Sequence, residues 1–129
     1  MRPGGPWLAA VLLLGSVVSA GAAPDAARGE QIYSRCMACH ALATDRVGPR
    51  HCGVVGRHAG TVAGFEYSKA MKESKLIWDE KTLDRFLTKP LKLVPGGSMT
   101  YDGVPEARDR ADLIAYLKQA ASSPPCKRS

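Results

Sequence analysis

The sequence predicts an all-α fold in one small domain. Three stretches repeat apolar residues at i, i+3 and i+4, each with a start or stop signal nearby. No convincing alternation of apolar and polar residues marks a strand anywhere. Long segments rich in glycine and proline join the helical stretches, and loops of that length in a small domain are usually draped over something.

Residues 1–22 read as a cleaved Sec-type signal peptide. Arg2 supplies a positive start, and the apolar run from Trp7 to Ala20 is shorter than the roughly 20 residues a bilayer span needs. Ala20-Gly21-Ala22 fits an A-x-A cleavage site with the cut before Ala23; Val18-Ser19-Ala20 is a second candidate site. An uncleaved anchor is the alternative. Residues 23–129 then form one domain with one limited core, without internal repeats or low-complexity tracts.

Asp25, ahead of Ala26-Ala27, is positioned to cap a first helix running to about Cys36. Gly29, Ile32 and Tyr33 share one face of it, and a glycine inside a helix costs about 1 kcal/mol, which suggests close approach by another helix. From Ala41 to Gly64 the chain reads as loop. Ser68 opens a short helix to Glu73; Asp79 caps another through Leu83, Phe86 and Leu87, which Pro90 stops. Lys89 to Val104 reads as irregular. The last helix is expected to start with Pro105 at its first position and to carry Leu113, Tyr116, Leu117 and Ala120 on one stripe. Pro124-Pro125 should end the ordered part, leaving residues 122–129 as a short tail.

The chemistry concentrates in Cys36-Met37-Ala38-Cys39-His40. C-x-x-C-H is the attachment signature of c-type haem: two thiols three positions apart reach the vinyl groups on one porphyrin edge, and the next imidazole ligates iron. A structural zinc site would need two more ligands at similar spacing, and no second C-x-x-C or H-x-x-x-H occurs. A thioredoxin-like dithiol would need a strand-helix-strand setting that is missing. A covalently held porphyrin would also add a large apolar plate to the small core.

For the sixth position on iron, Met99 is the preferred candidate, because it follows a Pro95-Gly96-Gly97-Ser98 loop far along the chain. Met71 sits on a short helix where a core role is commoner. His51 and His58 are loop competitors, and Met37 lies within the attachment turn itself. His/Met ligation closes both axial places and raises the reduction potential relative to two histidines, which suits a one-electron carrier.

The formal charge is +6. Export argues against nucleic acid as the partner, and dispersed lysines argue against a polybasic membrane patch, so an acidic docking face on a redox protein fits best.

These features resemble the class I c-type cytochromes, the group of mitochondrial cytochrome c and its bacterial periplasmic relatives. The resemblance runs from Gly29 to Lys118 through C-M-A-C-H, V-G-P, G-V-V-G-R-H-A-G, G-F-E-Y-S-K-A-M-K, W-D-E-K-T-L-D-R-F-L, V-P-G-G-S-M and R-A-D-L-I-A-Y-L-K. It implies one haem c on Cys36 and Cys39, with His40 and Met99 as axial ligands. It implies that the Pro49 carbonyl takes the His40 ring proton, that Arg57, Tyr67 and Trp78 hold the inner propionate, and that Gly29 and Tyr33 meet Leu113 and Tyr116. Four departures stand out: Gly97-Ser98 where Thr-Lys is usual, Phe86 where many relatives carry tyrosine, Lys75 in a glycine position and His51 in a leucine position. A positive φ at Lys75 would be strained, and His51 reads as a polar neighbour of the core. Cys52 and Cys126 remain, and an even remainder in an oxidising compartment can pair.

The function this implies is a soluble periplasmic carrier, a monomer rather than an enzyme, docking transiently on acidic-faced redox proteins or membrane complexes through Lys69, Lys72, Lys89 and Lys92. The alternatives are a haem subunit dedicated to one partner enzyme, and a peroxidase-like or gas-binding protein.

Overall fold

The computed structural model describes residues 1–5, 15–17 and 21–128. Most of the apolar run assigned to the leader, residues 6–14 and 18–20, lies outside the described residues. Among the described residues the fold is helical, and no helix is long and apolar enough to cross a membrane.

The local signals act where the chain places them. The Asp25 carboxylate accepts from the N–H groups of Ala27 and Arg28 at 3.0 and 3.1 Å and opens α1 (Ala26–Tyr33). The chain then tightens into a 3₁₀ turn, Ser34–Cys36, which delivers the cysteine pair. Ser68 Oγ accepts from Met71 N–H at 3.1 Å and starts α2 (Lys69–Glu73). Asp79 accepts from Thr82 N–H at 2.7 Å and starts α3 (Glu80–Thr88). Lys89, the residue before Pro90, is extended (φ −160°, ψ 91°) and ends α3.

Three expectations change. Pro90 not only stops α3 but opens a short α4 (Pro90–Leu93) inside the segment read as irregular, because a proline suits a first helical turn. Pro105 lies outside α5 (Ala107–Ala120), whose N-cap is Glu106. The Pro105 carbonyl instead accepts from the Arg110 guanidinium at 2.8 Å, and the same nitrogen reaches the Val104 carbonyl at 3.0 Å. Pro124-Pro125, expected at the end of the ordered part, opens one further helical turn, α6 (Pro124–Lys127). Its Cys126 is joined to Cys52, with Cα atoms 5.3 Å apart.

The core is built where α1 and α3 pack on α5: Ile32 and Tyr33 from α1, Leu83, Phe86 and Leu87 from α3, and Leu113, Ile114 and Leu117 from α5. Gly29 is the point of closest approach, since a Cβ there would lie 1.9 Å from the Asp112 carbonyl oxygen. Asp112 itself is fully buried. It accepts from Asp25 N–H at 2.7 Å, from Arg28 at 2.6 Å and from Arg108 Nε at 3.2 Å, while Arg28 also pairs with Asp109. These donors, the Asp25 N–H foremost, hold the Asp112 carboxyl below the usual carboxylate range against the opposing effect of burial. Lys75 has φ 58°, so the expected strain is present.

Candidate functional site

Between the 3₁₀ turn, the long loop, α3 and the segment after α4 lies a cavity of about 370 Å³. Its walls bring together all eight residues the sequence singled out: Cys36, Cys39, His40, Pro49, Arg57, Tyr67, Trp78 and Met99.

The attachment turn sets one wall. Cys39 N–H and His40 N–H both donate to the Cys36 carbonyl, at 3.1 and 2.9 Å, and this fold-back puts the thiols and the imidazole on the same cavity. Cys36 is half-buried, and burial pushes its thiol pKa up; Cys39 is exposed. The His40 ring is buried, and its Nδ1 donates to the Pro49 carbonyl at 2.8 Å. That bond leaves Nε2 with its lone pair free to bind a metal. Burial pushes the His40 pKa down, and the neutral imidazole it favours is the form a ligand requires.

Two neighbours of this imidazole were not identified as its neighbours from sequence. A Cβ on Gly48 would fall 2.1 Å from His40 Cε1, so only glycine lets the chain pass so close to the ring. The V-G-P run holds that glycine, but a loop glycine carries no sign of what it faces. His51 stacks on His40, with centroids 4.1 Å apart and planes 21° from parallel, and its Nδ1 is 3.1 Å from the Tyr33 hydroxyl. Burial, with smaller effects from His40 and Arg57, pushes the His51 pKa down to about 3, so its ring is neutral.

The opposite chemistry, a need for negative charge, gathers at Arg57. Its terminal nitrogens donate to the Arg50 and Cys52 carbonyls at 3.1 and 3.2 Å, while its Nε is buried without a hydrogen-bond partner. Burial pushes the guanidinium pKa down, the mark of a cation removed from water without a matching anion. The Tyr67 hydroxyl accepts from Val62 N–H at 3.0 Å, which leaves its own proton to donate. Trp78 is buried against Phe86, with ring centroids 4.8 Å apart. This donor set fits the carboxylate groups of a haem edge.

The candidates for the sixth position separate by place. His58 is exposed, does not line the cavity and pairs with Ile77 in an isolated bridge. Met37 is 53 % exposed and also lies off the cavity. His51 lines the cavity but is committed to the His40 face. Met99 and Met71 both line it and both pack against the core, Met71 from α2 and Met99 from the loop after α4. Gly96, at φ 83°, supplies the left-handed turn that this loop requires.

Comparison with known proteins agrees with this geometry. The sequence profile of the family described as Cytochrome c matches residues 26–121. A cytochrome c2 of Rhodomicrobium vannielii is 48 % identical over 102 residues, covering 77 % of this chain and 82 % of its own. A cytochrome c2 of Blastochloris viridis is 40 % identical over 112 residues, covering 84 % of this chain and 88 % of its own. Among solved structures, cytochrome cH from Methylobacterium extorquens superposes with a TM-score of 0.72 at 43 % identity, over 74 % of this chain and 98 % of that one.

Proposed function

The chain belongs to the cytochrome c family, electron-transfer proteins with one covalently attached haem c, and we propose that it is a periplasmic one-electron carrier with His40 and Met99 as axial ligands. The observation that carries this reading is the pairing of a neutral His40, its Nδ1 proton held by Pro49, with an orphaned Arg57 Nε on the same cavity. The first supports a metal ligand and the second a bound anion, and a haem would meet both in one molecule.

When bound, the haem supplies a single iron that alternates between two oxidation states. The chain's own residues do the rest. Cys36 and Cys39 would anchor it through thioethers, His40 Nε2 and Met99 Sδ would ligate its iron, and Arg57, Tyr67 and Trp78 would hold a propionate. With His40 and Met99 both bound to the iron, the protein would leave no site for oxygen or peroxide, and electron transfer would need little rearrangement.

Replacing Met99 with alanine tests the ligand assignment. The weak red band of sulfur-to-ferric-iron charge transfer should disappear, the midpoint potential should fall, and the reduced protein should bind carbon monoxide promptly. Met71→Leu should leave all three unchanged. An unaltered band and midpoint in Met99→Ala would overturn the assignment.

Transient docking on an acidic partner surface follows from the net charge, +6 for the whole chain and +5 once the leader with Arg2 is removed, and from Lys69, Lys72, Lys89 and Lys92, all exposed. Electron-transfer rates to an acidic-faced partner should fall steeply as ionic strength rises past about 0.1 M, where charges are screened beyond roughly 10 Å. A rate insensitive to salt would rule this docking mode out. Export rests on the leader: the proposed cut lies between Ala22 and Ala23, both exposed.

A further inference from the structure

We propose that His51 is a positioning residue that sets the ring plane of the His40 imidazole; this rests on the reading of His40 as an iron ligand. The bond from His40 Nδ1 to the Pro49 carbonyl fixes one atom of the ring but leaves it free to tilt about that bond. A second restraint is needed to define the plane. His51 supplies it by lying against the ring at 4.1 Å and 21° from parallel, while Gly48 crowds Cε1.

His51 is itself held from several directions. Its Nδ1 meets the Tyr33 hydroxyl at 3.1 Å, and Tyr33 stands edge-on to it with centroids 5.7 Å apart. Tyr33 is buried at the α1–α5 contact, where its ring meets Tyr116 at 5.3 Å. The His51 backbone N–H reaches the Ala41 and Leu42 carbonyls at 3.1 and 3.0 Å, and its carbonyl accepts from Val54 at 3.0 Å. The next residue, Cys52, is bonded to Cys126. The helix packing is thus transmitted through Tyr33 and His51 to the face of the ligand. An aliphatic side chain at this position would fill the volume without a flat surface to align the imidazole and without a partner for the Tyr33 hydroxyl.

The test is proton NMR of the ferric holoprotein, where the pattern of hyperfine-shifted haem methyl signals reports the orientation of the axial imidazole. In the wild type, shifted ring signals assigned to His40 should be present. His51→Leu should keep those signals and the red charge-transfer band but change the order or spread of the methyl shifts. Tyr33→Phe, which removes only the hydroxyl, should change them in the same sense by less. His51→Phe, which keeps a ring to stack, should return the pattern towards wild type. If His51→Leu retains the wild-type methyl pattern, the positioning role is wrong although the ligand assignment stands. If the wild type shows no shifted His40 signals, the ligand assignment fails and the proposal falls with it. Should His51→Leu not fold, an unchanged methyl pattern in Tyr33→Phe would equally overturn the role.

Discussion

Breaking the Cys52–Cys126 bond is expected to lower the unfolding free energy of the holoprotein by about 4 kcal/mol. The two cysteines are 74 positions apart, and the bond therefore closes most of the folded domain into a loop. Its chief effect is on the unfolded chain, which loses the freedom that a loop of this length would otherwise have. Native domains are stable by only about 5–15 kcal/mol, so the loss is a large share of the total. Locally, the bond ties α6 to the loop whose Arg50 and Cys52 carbonyls hold Arg57. Urea titration of Cys126→Ser against wild type checks the figure, with thiol reductant as a second route, since the thioethers proposed at Cys36 and Cys39 would resist it. A loss under about 1 kcal/mol would show that the bridge constrains little.

Gly29→Ala should destabilise the protein by about 3 kcal/mol, in the range found for overpacked cores. The sign is the informative part. Intrinsic helix propensity alone favours alanine over glycine by about 1 kcal/mol, so an exposed glycine in α1 would give the opposite result. Here a Cβ would lie 1.9 Å from the Asp112 carbonyl oxygen, 2.5 Å from its carbonyl carbon and 2.8 Å from Tyr116 Cβ. Two of these atoms are backbone of α5, so no rotamer change relieves the clash and the helices must separate. Separation also draws Asp112 away from the Asp25 N–H and Arg28, which leaves a buried carboxylate short of partners. Denaturant unfolding of the variant gives the measurement, and a neutral or stabilised Gly29→Ala would show that α1 and α5 do not pack as described.

Both predictions start from residues that the sequence already marked; the disulfide's magnitude follows from the spacing of Cys52 and Cys126 in the sequence, but that they pair, and the size and sign of the Gly29 effect, do not. Gly29 drew attention because a glycine inside a helix is costly, but what presses on it comes from the far end of the chain. Cys52 and Cys126 could be read as a possible pair, but only the path of α5 and α6 brings them within bonding reach. Asp112 shows the limit most clearly. An aspartate in a helix reads as a solvated side chain, and nothing near it announces complete burial, because its partners Asp25 and Arg28 lie 87 and 84 positions away. The error at Pro105 has the same origin. A proline ahead of a helix is a sound local signal, but its carbonyl was taken by Arg110 one turn further on.

What the sequence alone determined is everything that acts over a few residues. Asp25, Ser68 and Asp79 start helices because a side-chain oxygen within three positions can reach the free N–H groups. Pro90 ends one because its ring excludes the helical conformation before it, and C-x-x-C-H places two thiols and an imidazole on a single turn. Tertiary structure alone decided which face of His40 is covered and by what, which carbonyls hold Arg57, and that its Nε stays without a partner. Those contacts depend on where loops and helices distant in the chain come to rest, and that position is set by the packing of the whole core.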